Sequence, residues 1–309
     1  ALELAREGQE VVVLDDSSRL SGTVANAGSL HVQMQSRFIR MYPDQVPGLE
    51  RSLPLYVAAT HRWAELAREL RADIELKQSG GLMVAENEDA YEFLARKCER
   101  ERRLGLNVAM LRRADLDHIA PYLGPAVIGA EFCAEEGKLN PLLANAAVRR
   151  AALALGVTIL PETRVDRLEP GWTLHTPHGA IRAGRVLLAT GAGTGALLAP
   201  LGLHVPTVAE PLHMNVTEAT APLIGHLVQH AERMITLKQL AAGQVVVGGG
   251  WPARLDARNH PTVEAASLIG NLRLAQHIVP PLARLRLIRS WAGVNTTCDG
   301  QCILGQVPG

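Results

Sequence analysis

Residues 11–28, VVVLDDSSRLSGTVANAG, constrain this chain more than any other stretch. Val11 to Leu14 read as a buried strand, two carboxylates end it, and a loop of small residues follows at once. A carboxylate at the end of a strand suits a ribose diol, and small side chains let backbone N–H groups approach a pyrophosphate, which is the order used by a dinucleotide-binding fold. Ahead of the strand, residues 1–7 read as the end of a helix with Gly8 as its cap. Such a fold places a glycine loop before that helix. The chain opens in mid-helix without methionine and closes on the turn signal GQVPG, so both ends read as cut.

With 309 residues, 47% of them hydrophobic, the chain is long enough for two domains and a sizeable core. A formal net charge of zero argues against a nucleic-acid partner and points to a small or neutral ligand. Cys98, Cys133, Cys298 and Cys302 form no CxxC pair and read as free thiols in a reducing compartment. Cys298 and Cys302 have no further Cys or His at ligand spacing, so no metal is expected. No apolar run is long enough to span a bilayer, and the expected location is cytoplasmic or peripheral to the inner membrane.

His31, Gln33 and Gln35 follow the small-residue loop directly, which puts them beside a ligand. A turn at Pro43 and Pro47 leads to an amphipathic helix over residues 56–71. Residues 78–85 read as a short strand, and 88–104 as a helix with Ala90, Leu94 and Cys98 on one buried stripe. Asn140 and Pro141 supply an N-cap and a first-turn proline for a helix ending at Gly156. A strand over 157–160, a hairpin over 172–184, the apolar run RVLLAT over 185–190 and the turn GAGTG follow, in the order of the second half of a dinucleotide-binding domain. RVLLAT reads as a strand covered on both faces. Strands fall within 203–218 and 234–250, a helix over 263–278 stops at Pro280 and Pro281, and a strand over 285–291 leads into a loop.

Four stretches carry a resemblance along nearly the whole chain: residues 11–28, EGKLNPLLANAAVRRAALALGVTILPETRVDRLE at 136–169, RVLLATGAGTGALLAPLGLHVPT at 185–207, and RSWAGVNTTCDGQCILGQVPG at 289–309. In order and spacing they resemble the D-amino-acid oxidase superfamily of FAD-dependent oxidoreductases, which includes glycine oxidase, sarcosine oxidase and D-amino-acid dehydrogenases. The resemblance implies FAD. Asp15, where the family usually has glutamate, would take the ribose hydroxyls. Ser21, Gly22, Thr23, Asn26, Ala27 and Gly28 look like the loop against the pyrophosphate and flavin. Val165 resembles the strand position whose backbone meets adenine, and Thr190, Gly191 and Gly193 match the turn beside the cofactor, with Asp299 and Gly300 in the closing DG turn. Read alone, Asp15 is more readily a helix cap or solvated strand end than a ribose ligand, and Gly191 and Gly193 are readable simply as turn glycines.

The resemblance implies hydride transfer from the carbon bearing the amine to flavin N5, in a dry site that keeps the amine neutral. Family members acting on amino acids often hold the carboxylate with an arginine shortly after WAG, and here that position is Asn295. Lys238, Arg286 and Arg289 are the cations left for the role, with His213 and His31 as further donors. Lys238 and Gln239 resemble a segment of dehydrogenases acting on cyclic or secondary amino acids, although a lone lysine at a strand end also reads as a solvated charge. His31, Lys238 and Asn295 are the candidate catalytic residues. Trp251 and Trp291 read as a wall of the site or as core aromatics.

The expected fold is α/β: a discontinuous Rossmann-like FAD-binding domain over 1–44, 137–205 and 285–309, and a mixed-sheet α+β substrate domain over 45–136 and 206–284. The expected activity is oxidation of the C–N bond of an amino acid or secondary amine. Oxygen or a respiratory carrier is the electron acceptor, and partner subunits are allowed. A non-catalytic flavin-binding subunit of a larger amine dehydrogenase is the alternative. A pyridine-nucleotide dehydrogenase leaves the WAG…PG ending without a role. The missing glycine loop implies that the chain as it stands binds FAD weakly or not at all.

Overall fold

Apolar runs in the middle and end of the chain assemble into one mixed sheet of eight strands. The structure, a computed structural model, describes residues 1–17, 21–298 and 300–307. Its first half runs α1 (Leu2–Arg6), β1 (Val12–Leu14), α2 (Gly22–Ala25), β2 (Ser29–Leu30), α3 (Ser36–Met41), α4 (Val46–Leu70), β3 (Gly81–Ala85), α5 (Glu88–Arg103), β4 (Val108–Arg112), α6 (Arg113–Ile119), β5 (Gly129–Cys133), β6 (Gly137–Lys138) and α7 (Pro141–Ala154). The second half runs β7 (Thr158–Leu160), β8 (Arg167–Glu169), β9 (Thr173–Thr176), β10 (Gly179–Arg182), α8 (Thr194–Leu198), β11 (Val208–Ala219), β12 (Leu227–His230), β13 (Thr236–Gln239), β14 (Gln244–Gly248), β15 (Arg254–Leu255), β16 (Pro261–Thr262), α9 (Ala265–Ile278) and β17 (Leu287–Thr297).

The large sheet has the order β17-β11-β14-β13-β12-β3-β5-β4, antiparallel except where β12 and β3 run parallel. Every residue of β3 is buried because both faces are covered. Leu82 and Val84 share a core with Leu274 and Ile278 of α9, while Met83 and Ala85 pack with Ala90 and Leu94 of α5. Successive strand side chains point to opposite faces, so this alternation fixes β3 between the two helices. Away from this sheet, β1 pairs in parallel with β7, and β10-β9-β8 form a small antiparallel sheet.

Several expectations change. The helix placed at 56–71 starts at Val46: Pro47 lies in its first turn, where a missing N–H costs nothing, and so begins the helix instead of marking a turn. The run 185–190 is not a strand, and Leu187 is 74% exposed. Nor is β1 buried, since Val12 is 47% exposed and its only partner among the described residues is β7. An apolar run becomes a strand only where neighbours satisfy its backbone, and 185–190 has none here. Conversely, the loop expected after Trp291 continues as β17 to Thr297, because β11 pairs with it over its length. β17 therefore lies at the edge of the large sheet.

Beneath α5 sits a buried ion cluster. Lys97 Nζ lies 2.8 Å from Glu101 Oε1 and 2.7 Å from Glu131 Oε2, with all three side chains shut off from solvent. Burial, reinforced by Glu101, holds the Glu131 carboxyl far above the usual carboxylate range. Glu131 therefore carries a proton at neutral pH, and the trio balances as one ammonium and one carboxylate. Glu131→Gln, which keeps that balance, should change unfolding free energy by less than about 1 kcal/mol, whereas Lys97→Met strands Glu101 and should cost about 3 kcal/mol or more in urea unfolding at pH 7.

Candidate active site

The small-residue loop is held by its carbonyls. Asn145 Nδ2 donates to Thr23 O at 2.7 Å, Trp291 Nε1 to Ala25 O at 2.8 Å, and Asn26 Nδ2 to Gly22 O and Thr23 O at 3.1 and 2.8 Å. Lys238 Nζ donates to Ala27 O. The N–H groups of Gly22, Thr23 and Ala27 have no acceptor among the described residues. Such a donor set, without side chains in the way, fits a diphosphate. Gly28 ends the loop at φ +72°, and a Cβ there would lie 2.4 Å from Leu139 O. No other residue fits that turn.

Immediately after the loop, Val32, Gln33 and Met34 cross the interior with no strand partner among the described residues, and carboxylates accept from their N–H groups. Glu136 Oε1 accepts from Val32 N at 2.9 Å and Gln33 N at 3.0 Å, and Glu101 Oε1 accepts from Met34 N at 2.6 Å. Glu136 also accepts from Gln33 Nε2 and Gln229 Nε2, both at 3.1 Å. Burial pushes Glu136 up to about 7 against the pull of these donors. The crossing segment walls a cavity of about 300 Å³. His31, Gln33 and Gln35 supply its polar side, and Phe38, Leu49 and Tyr56 its apolar side.

Two lysines stand beside the segment that leads into this wall, Lys238 at Ala27 O and Lys138 paired with Ser29. Lys238, on β13, is fully buried, and burial followed by the charge of Lys138 brings its pKa down to about 7. Lys138 falls to about 8 through burial and Lys77. Neither has an ion pair among the described residues. His31, whose ring opens onto the cavity, is lowered to about 4 by the protein packed around it and then by Lys238.

Not every candidate meets at this place. Asn295 is exposed on β17 and donates to Glu210 Oε2 at 3.0 Å, away from the cavity wall. Arg286 pairs with Glu218 at 2.8 Å with its side chain 85% exposed, and Arg289 lies over the Trp291 ring. His213 is buried with Nδ1 near Pro252 O, and Trp251 donates to Met234 O inside the core. Val165 is in an irregular segment before β8, not in a strand, because β7 ends at Leu160. Asp15 is exposed at the end of β1, its Oδ1 accepting from Ser17 N at 3.0 Å. Ser21 is the N-cap of α2, and Thr190 bonds Thr194 through their hydroxyls at 2.9 Å. Gly191 and Gly193 form a 3-10 turn, with Gly191 packed toward Thr296 of β17. Gly300 stands against the Phe38 ring at the cavity wall, and Asp299 lies outside the described residues.

Glu136, Glu101, Gln229 and Lys138 were not singled out from sequence. The one signal was that Glu136 opens the stretch 136–169, directly after Glu135.

Among known proteins, glycine oxidase of Geobacillus kaustophilus (strain HTA426) is 26% identical to this chain over 316 residues, covering 99% of it and 80% of the relative. One of the opine oxidase subunits of Agrobacterium tumefaciens (strain Ach5) is 26% identical over 315 residues, covering 96% and 78%. The crystal structure of glycine oxidase from Geobacillus kaustophilus has the same fold, with a TM-score of 0.86 at 24% identity over 99% of this chain and 82% of that one. The family described as FAD dependent oxidoreductase, DAO, matches residues 1–309, and the chain belongs to it.

Proposed function

We propose that the chain oxidises the C–N bond of an amino acid or secondary amine bound in the cavity walled by residues 31–35. The observation that carries this reading is adjacency. The loop whose free N–H groups suit a diphosphate runs straight into the cavity wall, and Lys238 holds the junction at Ala27. On this reading Asp15 takes the ribose, Gly22, Thr23 and Ala27 the diphosphate, and the turn at Thr190, Gly191 and Gly193 lies alongside. FAD, when bound, supplies a two-electron acceptor for the hydride released from the carbon next to nitrogen. Residues 1–44, 137–205 and 285–309 are the proposed FAD-binding unit, with the remainder forming the substrate unit.

The protein's share is orientation and charge. Lys238 and Lys138 have no ion pair among the described residues, and the positive charge they carry when protonated adds to the potential behind the cavity. A positive potential disfavours a second cation, so the substrate nitrogen is held as the free amine that hydride release requires. His31, lowered by the protein around it and then by Lys238, favours its neutral ring, with Glu136 Oε1 3.9 Å from its Nδ1. The opine oxidase relative is named as one subunit of an enzyme, and partner subunits for this chain are proposed on the same footing.

Protein supplied with FAD should be yellow, and at least one of D-amino acids, sarcosine, proline or hydroxyproline should bleach it anaerobically and turn over with an artificial electron acceptor. A panel that leaves the flavin oxidised throughout overturns the reading. Comparing turnover in air with turnover on a quinone distinguishes oxygen from a respiratory carrier.

Lys238→Met should separate stability from activity. With the folded pKa lowered from 10.5 to about 7, folding favours the neutral amine. The penalty of the buried charge is full below pH 7 and vanishes above pH 10.5. The methionine variant should thus be more stable at pH 7, by on the order of 1–3 kcal/mol, with the gain shrinking toward pH 10.5. Its amine turnover should fall by about tenfold or more. Thermal unfolding across that pH range and steady-state assays check both halves.

A further inference from the structure

The side chains around Glu136 are polarised from the inside outward. An ionised carboxylate only accepts hydrogen bonds, so each amide touching it must turn its NH2 group inward. Gln33 does so at 3.1 Å, which leaves its Oε1 buried with no donor. Gln229 does the same at 3.1 Å, and its Oε1 is then obliged to accept. It accepts from Gln35 Nε2 at 2.6 Å. Gln35 spends one of its two amide N–H groups on Gln229, which fixes the orientation of its amide, and it lines the cavity. Its carbonyl oxygen is then the end turned away from Gln229 and available to accept. The two-step relay from Glu136 through Gln229 to Gln35 therefore fixes which end of the Gln35 amide is the acceptor, where an isolated glutamine would be free to flip.

Space for the relay is built in. A Cβ on Gly81 would lie 1.8 Å from Glu136 Oε2, so β3 carries glycine where the carboxylate must fit. No lysine or arginine is among the described residues lining the cavity.

We infer that Gln35 selects the substrate through its N–H groups, accepting a hydrogen bond from a primary or secondary amine, and that Glu136 is the positioning residue that fixes the direction of the Gln35 amide. The apolar side made by Phe38, Leu49 and Tyr56 takes the hydrocarbon part of the same molecule. This rests on the amine-oxidoreductase reading for the class of ligand, and its test is one of binding, not turnover.

The test is calorimetric titration, under anaerobic conditions with saturating FAD at pH 8, where Glu136 is largely ionised. The probes are proline, as both enantiomers, and tetrahydro-2-furoate, in which a ring oxygen replaces the N–H. The parent protein should bind one proline enantiomer about tenfold or more tighter than the furoate, the difference expected of one hydrogen bond to an amine. Gln35→Leu should weaken proline by about tenfold and leave the furoate within about twofold. Glu136→Gln, which can present an NH2 group to the relay, should bring the two probes to nearly equal affinity. Gln35→Leu keeps the test decisive if the Glu136 variant fails to fold. No proline binding, equal binding of both probes by the parent protein, or equal losses for both in Gln35→Leu would overturn the inference. Proline that binds with this dependence, in a protein whose flavin no amine bleaches, would sink the oxidoreductase reading and leave the selection by Gln35 standing.

Discussion

Three successive backbone N–H groups, at Val32, Gln33 and Met34, end on buried carboxylates instead of on a neighbouring strand. A chain crossing a protein interior must satisfy these groups, because each one left bare costs as much as a lost hydrogen bond. A strand partner would have filled the space with backbone. Glu136 and Glu101 satisfy the same groups from one side only, which leaves the other side of the segment open as the cavity. The solution is expensive in charge. Glu101 is balanced by Lys97, and Glu136 by hydrogen bonds from two backbone and two side-chain donors. The cavity, the ion cluster under α5 and the glycine at position 81 are consequences of one unpaired stretch.

Much of the architecture was legible because local chemistry and tertiary packing agree. Asn140 caps α7 by accepting from Leu142 N at 3.1 Å and Leu143 N at 3.3 Å, as its place before Pro141 implied. Ala90, Leu94 and Cys98 form the buried stripe that their spacing implied. The failures came where partners decide. Whether 185–190 is a strand depends on neighbours, and the same hydrophobic run reads identically with or without them. β17 was cut short for the opposite reason: Gly293, Asn295 and Thr296 look like loop residues, yet β11 offers a continuous ladder and the backbone takes it.

In the site the division is similar. The placement of the small-residue loop, His31, Gln33, Gln35 and Lys238 around one cavity was legible because they lie close in sequence to the opening strand or carry a charge that needs explaining. Glu136 was not, since nothing in the order of residues announces that a glutamate 104 positions after Val32 will cap its N–H. Asn295 misled because its place after WAG suggested substrate, while its amide is engaged by Glu210 at the surface. Sequence spacing reveals which residues share an element. It does not reveal which side chain reaches across to a backbone it never neighbours.

The loop and the cavity wall have opposite polarity, and the reason is shared. Around residues 21–28 the surrounding donors, Asn145, Trp291, Asn26 and Lys238, all engage carbonyls, so the groups left facing outward are N–H. Around residues 31–35 the carboxylates of Glu136 and Glu101 engage backbone N–H groups, and the Gln35 amide is turned so that its carbonyl oxygen is available to accept. In each case the buried partner determines the polarity of what remains exposed. A ligand whose anionic part met the wall, or whose amine met the loop, would face like groups in a low-dielectric setting, where mismatched pairing is costly. On the proposed reading, two adjacent surfaces of one chain thus sort phosphate from amine before any substrate-specific contact is made, and Lys238 at Ala27 stands at the boundary between them.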